Sequence, residues 1–569
     1  MITVYREGGI KDYYSKNCWR GLSRVEFILK PISGYGKANP PSVFFLLKSC
    51  ILEGGAMKAP AAPGIGRIQT KDKNTVQTKR PLSGVQLTFV HRSINTLAWS
   101  MPRLAKVGLI RHTLANRLEK RMRAEAANHV ETKVRPARAV QDRLDVGISI
   151  LRTIERALAR GRLSSTSFRK VLSNLASNAF INKGEPGAKE KFKEEFGVFP
   201  PEVLLISPTK YCNLRCKGCY ADSAADSEKL EWDVFDRMVQ EAHDLWGARF
   251  FVFSGGEPLI YRDKGHGVLD IVEKYADSYF MMYTNATLID DKLARRLGEL
   301  GNVMPAVSVE GMKDRTDHRR GAGVFDKIIA AMERLLREKV LFGISMTATK
   351  ENVEEVFSDE VIDFYFNEMG ALFGWVFHYM PIGRAITLDL LPTPEQRLWM
   401  WKRAWELIRE RHIFLVDFWN GGTISQGCIG AGRQGGYMTI DWNGYANACV
   451  FMPYSPVNMN DAYAKGMTLK DVWAHPFFER LREWQRNYGY NAPFSRNPEL
   501  GNWMMPCPIR DHYAEFYELY TEFMPKPNDE NAADAVMDKD YREGMKEYNK
   551  AVAELLDPIW KKDYLGKTH

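Results

Sequence analysis

The chain has 569 residues, 45% of them hydrophobic, enough for several globular units or one large barrel with additions. Eight cysteines are too few for a secreted disulfide scaffold of this length, and no run of 18 apolar residues suggests a membrane-spanning helix. Net charge is +9 but uneven: residues 57–184 hold 25 Lys and Arg against 7 Asp and Glu, whereas residues 185–569 are net acidic. That asymmetry points to an anionic partner for the first part, with solvated helix faces as the plain alternative.

In chain order, residues 1–84 lack periodicity and, from 57, are rich in Pro, Gly, Lys and Thr, the composition of a disordered lead. Glu53-Gly54-Gly55 just before Met57 resembles a ribosome-binding sequence read in frame, so the native start is expected at Met57, which would dismiss Cys18 and Cys50. Residues 85–195 form a basic helical region. Leu87, Val90, Ile94, Leu97, Met101, Leu104, Val107 and Leu114 recur at helical steps to about residue 126, interrupted at Pro102, with Arg92, Arg103, Lys106, Arg111, Arg117 and Lys120 on the polar side. Such a helix can lie in a bilayer interface or cap a barrel. With no signal peptide at the start, the chain is expected in the cytoplasm, peripheral to the inner face of the membrane.

From residue 196 to 385 apolar strands alternate with helices, the pattern of a parallel α/β fold. Strand ends are expected at Ser207, Phe253, Tyr283, Val309, Met346 and Phe377. After the first strand comes Tyr211-Cys-Asn-Leu-Arg-Cys-Lys-Gly-Cys-Tyr220, in which Cys212, Cys216 and Cys219 are spaced C-x3-C-x2-C. Three thiolates at this spacing can ligate three irons of a cubane and leave the fourth open for chemistry. The alternative is a zinc knuckle, but structural zinc wants four ligands and no fourth Cys or His lies near. The second strand ends in Ser254-Gly255-Gly256-Glu257-Pro258.

The cysteine loop followed by Gly-Gly-Glu-Pro resembles the radical S-adenosylmethionine (SAM) superfamily over about residues 196–385. The resemblance implies a partial (β/α)6 TIM-like barrel whose cofactors are a SAM-binding 4Fe–4S cluster and S-adenosyl-L-methionine. It implies that Gly255, Gly256, Glu257 and Pro258 meet the methionine amino group, Glu257 as acceptor, and that the Tyr220 backbone faces adenine. Asn285 and Ser308 are implied ribose contacts, Arg320 a holder of the SAM carboxylate, and Gly383 with Arg384 the segment that closes on adenine. His378 and Tyr379 at the sixth strand end are read as packed core aromatics, with substrate contact or hydrogen donation as the alternative.

Residues 386–424 read as a bridging helix and 425–515 as a smaller domain in which Cys428, Cys449 and Cys507 surround a hairpin with an Asn443-Gly444 turn. This is similar to the twitch/SPASM auxiliary extensions of the superfamily and implies a second 4Fe–4S cluster on those cysteines. Asp511 and His512 follow Cys507 closely enough to be a fourth ligand, or that corner stays open to substrate. Residues 516–569 form a helical tail. The chain is thus expected to be a radical SAM enzyme that cleaves SAM reductively to a 5′-deoxyadenosyl radical and abstracts hydrogen from an unactivated C–H bond. Its reductant would be a flavodoxin or ferredoxin. The basic helices suggest a membrane-lipid acyl chain as substrate and an anionic membrane surface as partner. The alternatives are a peptide- or protein-modifying maturase and a non-catalytic iron–sulfur relay or sensor; nucleic acid is not an expected partner.

Overall fold

Runs such as Phe250–Phe253 are apolar at every position, and a strand of that kind must be covered on both faces, as in a parallel sheet with helices outside. The computed structural model describes residues 108–131, 135–181, 187–225, 228–490 and 501–567, and in it this run is buried throughout. The expected start at Met57 and the helical pattern before residue 108 lie outside the described residues.

Six parallel strands follow in order: β1 (Val203–Ile206), β2 (Phe250–Phe253), β3 (Tyr279–Thr284), β4 (Val303–Val309), β5 (Gly343–Ala348) and β6 (Gly374–His378). Each ends within two residues of the expected position. The sheet then exceeds the six-stranded expectation. β7 (Leu415–Asp417) adds in parallel beside β6, and β8 (Tyr437–Ile440) adds in parallel beside β1, with Val203 opposite Tyr437. β9 (Tyr445–Asn447) returns antiparallel to β8 through Asp441–Gly444, where Gly444 at φ 84° takes the left-handed geometry the turn requires. β10 (Tyr454–Ser455) leaves this sheet, and β11 (Val457–Asn458) pairs with β9. The hairpin of residues 425–515 is therefore continuous with the barrel sheet, because β1 offers it a free parallel edge, and one hydrophobic core runs from the barrel into the tail.

The N-terminal helices α1 (Gly108–Glu131) and α2 (Ala137–Ala159) form a hairpin over Met122, Leu144 and Ile148. α2 then buries Ala139, Val146 and Ile150 against Trp401, Trp405 and Ile408. Those belong to the bridging helix α3 (Pro394–Arg409), which Thr393 caps with Gln396 in a reciprocal box. Buried Asp142 of α2 accepts from Arg409, Thr423 and the Tyr564 hydroxyl. This is the barrel-capping arrangement. Exposed Leu109, Leu114 and Val130 are spread around α1. No helix among the described residues is long and apolar enough to cross a membrane.

Candidate functional site

A cavity opens at the C-terminal ends of the strands, where parallel α/β sheets gather their chemistry. Cys212, Cys216, Cys219, Tyr220, Gly255, Gly256, Asn285, Ser308 and Arg320 all line it. The loop that carries the cysteines is braced from behind. Arg384 donates to the Cys216 and Ser223 carbonyls and pairs with Asp222 at 2.9 Å. Gly383 approaches so closely that a Cβ there would lie 2.3 Å from the Tyr220 carbonyl oxygen. Neither residue lines the cavity, and both brace the loop from behind.

Gly256 is packed in the same way, with space for a Cβ only 2.1 Å from the Tyr211 carbonyl oxygen, and its N–H donates to the Thr209 carbonyl. We expect Gly256→Ala to drive the segment off the cysteine loop. Calorimetry with SAM should then show affinity lost by at least about tenfold, with a lower melting temperature; unchanged affinity would contradict this packing.

Glu257 sits behind the cavity wall. It is fully buried and absent from the cavity wall. Its carboxylate turns inward and accepts from the Thr284 hydroxyl at 2.7 Å, the Asn285 N–H at 2.7 Å and the Leu259 N–H at 3.2 Å. Burial, against those hydrogen bonds, pushes it up to about 7. Glu257 thus fixes the tip of β3, while Pro258 begins a short 3-10 turn behind it. Asn285 in turn donates to the Asn213 side chain at 2.9 Å and lies 3.7 Å from the Cys212 sulfur. The Tyr220 hydroxyl shares a hydrogen bond with Ser254 at 2.8 Å and accepts from the Gly255 N–H.

Arg320 reaches the cavity, where its Nη1 lies 4.0 Å from the Cys216 sulfur, and it is aimed by a residue to which no role was assigned. Glu310, fully buried just past β4, pairs with both Arg319 and Arg320 and accepts from the Thr347 N–H. A carboxylate directly after an apolar strand was the available signal. His378, fully buried, places Nε2 2.9 Å from Asp417, and its ring lies 5.5 Å from that of Trp419. Burial lowers it to about 4, so the imidazole is neutral at ordinary pH. Tyr379 is buried and its hydroxyl donates to the Ala385 carbonyl, and both Tyr379 and His378 line the cavity.

Cys449 and Cys507 lie in the main hydrophobic core, and Cys428 packs against it. Burial pushes the Cys428, Cys449 and Cys507 thiols up, Cys428 to about 12. The Tyr437 hydroxyl lies 2.7 Å from the Cys449 sulfur. The proposed fourth ligands are otherwise engaged. Asp511 gives both oxygens to Arg397 and accepts the Cys507 N–H at 3.1 Å, and His512 Nε2 meets the Met505 carbonyl at 2.8 Å. Ile429, Val450 and Phe451, close in sequence to Cys428 and Cys449, line the same cavity as the cysteine loop.

The donor chemistry fits iron–sulfur cofactors. The half-buried Cys212 thiol, pushed up to about 12 by desolvation, needs a metal to become a thiolate. A cubane takes one thiolate at each of three iron corners, which the three cysteines of one loop can supply, whereas structural zinc takes four ligands.

An open parallel barrel with a cysteine loop at its mouth defines a cofactor-dependent α/β protein. Residues 206–358 match the Radical SAM superfamily, and this part of the chain is a radical SAM domain, the cofactors of that family being a 4Fe–4S cluster and SAM. The chain is 31% identical over 161 residues to the Fe-coproporphyrin III synthase of Methanosarcina barkeri, covering 27% of this chain and 39% of that protein. It is 28% identical over 222 residues to the AdoMet-dependent heme synthase of the same organism, covering 38% and 61%. To the cysteine-type anaerobic sulfatase-maturating enzyme of Clostridium perfringens it is 28% identical over 174 residues, covering 28% and 47%. The chain thus spans about two-fifths to three-fifths of the length of these relatives.

Proposed function

We propose that this protein is a radical SAM enzyme that modifies a peptide or protein by abstracting hydrogen from one of its C–H bonds. The carrying observation is the single chamber bordered by Cys212, Cys216 and Cys219, by Gly255, Gly256 and Arg320, and by the neighbours of Cys428 and Cys449. When bound, the reduced cluster and SAM supply a 5′-deoxyadenosyl radical, and a second 4Fe–4S cluster on Cys428, Cys449 and Cys507 supplies redox capacity beside the substrate. The protein's part is to hold and orient. The loop thiols grip the first cluster, and Glu257 and Asn285 fix that loop against β3. Glu310 aims Arg320 at the SAM carboxylate, and the apolar wall excludes water.

A maturation enzyme among the relatives supports the peptide reading, whereas none of those named above acts on a lipid by its name. Anaerobic reconstitution with SAM and dithionite should yield 5′-deoxyadenosine. In Cys212→Ala we expect roughly four fewer irons per chain and no product; zinc in place of iron, or a fully loaded protein that forms no 5′-deoxyadenosine, would overturn the proposal. Comparing peptide and lipid masses from cells with and without the gene separates the peptide from the acyl-chain substrate. Radical SAM enzymes need an external reductant, and a flavodoxin or ferredoxin has the required low potential.

The excess of basic residues in 57–184 supports association with an anionic membrane surface. The chain should then co-sediment with phosphatidylglycerol vesicles, fail to do so with phosphatidylcholine, and be released at about 1 M salt. Equal binding to both lipids would refute the electrostatic contact.

A further inference from the structure

The chamber continues past the cysteine loop into the barrel, and there its character changes. Inward positions of a strand alternate with outward ones, and the apolar members of the inward set here are Val203 and Leu205 of β1, Val252 of β2, Met281 of β3, and Trp375 and Phe377 of β6. Val203 is the first residue of β1, at the end of the strand opposite the cysteines, and a four-residue strand is roughly 13 Å long. The atom-free space, mouth included, is about 1450 Å³. The charged side chains on its wall, Arg319 and Arg320, sit at the loop end and are paired with Glu310. Below them the wall carries no charged side chain, and most of the exposed wall is apolar. Its polar groups are the Ser308, Ser345 and Thr347 hydroxyls, the Tyr283 hydroxyl, the Tyr437 hydroxyl held against Cys449, the His378 imidazole held by Asp417, and the indole N–H of Trp375, which is buried and has no hydrogen-bond partner. A polar or ionised group entering this depth would lose its hydration and find little to replace it, while a hydrocarbon group would be favoured by its buried area.

We propose that the barrel interior receives a hydrocarbon group, so that the C–H bond presented to the SAM end belongs to an aliphatic or aromatic side chain rather than a polar one. This deepens the peptide reading given above and, for the choice of a side chain, rests on it. The interior sets specificity by excluding hydrated groups. Trp375 on the wall gives the measurement a local probe.

The experiment uses the anaerobically reconstituted full chain with SAM bound. N-acetyl-4-bromophenylalanine methylamide should quench tryptophan emission through its bromine, and the quenching should shrink in Trp375→Phe. N-acetyl-leucine methylamide should displace it at a concentration at least about tenfold below that needed of N-acetyl-serine methylamide. Leu205→Asp should weaken probe binding by at least about tenfold with iron content and SAM affinity unchanged. Should that variant fail to fold, Met281→Gln, nearly equal in volume, should show the same direction. Equal displacement by the serine and leucine compounds, or full probe binding in Met281→Gln, would overturn the proposal. If dodecanoate displaces the probe and the leucine compound does not, the hydrocarbon interior stands and the peptide reading fails. If none of the three compounds displaces it, the hydrocarbon proposal fails, and the cellular comparison of peptide masses decides the peptide reading separately.

Discussion

Asp511→Ala is expected to destabilise the protein by about 3–5 kcal/mol, the usual result of leaving one partner of a buried ion pair alone. Asp511 and Arg397 are both fully buried. The guanidinium is held on every side: by both oxygens of Asp511, by the Asn420 side-chain oxygen at 3.2 Å and by the Met504 carbonyl at 3.0 Å. Removing the carboxylate strands a cation that has no route to water. Replacing the pair together, Arg397→Met with Asp511→Leu, removes both desolvation costs and should recover much of the loss. Stability and site then separate. Asp511 also accepts the Cys507 N–H, so the double variant should fold yet retain roughly four fewer irons per chain, because the third thiol of the second set is no longer fixed. Thermal denaturation and iron analysis on the same samples check both halves. A single variant as stable as the parent would contradict the first, and a double variant with full iron would contradict the second.

The parts of this site that were legible in sequence are those fixed over a few residues. Cys212, Cys216 and Cys219 occupy one loop, and the apolar runs that become β1 to β6 are marked by their own composition. What could not be read is mostly pairing between distant segments. Nothing local in residues 437–440 says that β8 will lie against β1, more than two hundred residues earlier. Nor does the spacing of Asp511 from Cys507, which suits a ligand, reveal that Arg397 has claimed it. One clue was available: Arg397 falls on the same helical stripe as Met400, Trp401, Ala404, Trp405 and Ile408, all buried, and an arginine among them needs a buried partner. Gly256 and Gly383 show the converse. The first was read as a backbone close to a ligand, and the close approach the structure shows is of backbone to backbone, with the Tyr211 and Tyr220 carbonyls.

Glu257 gives the second large effect, and its cause is the same economy of buried polar groups. In Glu257→Ala the Thr284 hydroxyl and the Asn285 and Leu259 N–H groups all lose their acceptor, at about 1–3 kcal/mol for each buried group left unsatisfied. The tip of β3 should loosen, and with it the Asn285 contacts that hold Asn213 and Cys212, so iron should be lost from the loop as well as stability from the fold. Glu257→Gln keeps the shape and one oxygen, and isolates the charge. The folded chain holds the Glu257 proton up to about pH 7, whereas the unfolded chain releases it near the ordinary value of 4.5. A carboxyl raised in this way stabilises most below 4.5, and its contribution is lost as the pH climbs through 7. The melting temperature of Glu257→Gln relative to the parent should therefore rise between pH 5 and about 7.5 and level off above it. A difference that is flat across this range would mean that the carboxylate is already ionised in the fold, its three hydrogen-bond donors and Arg320 together outweighing burial.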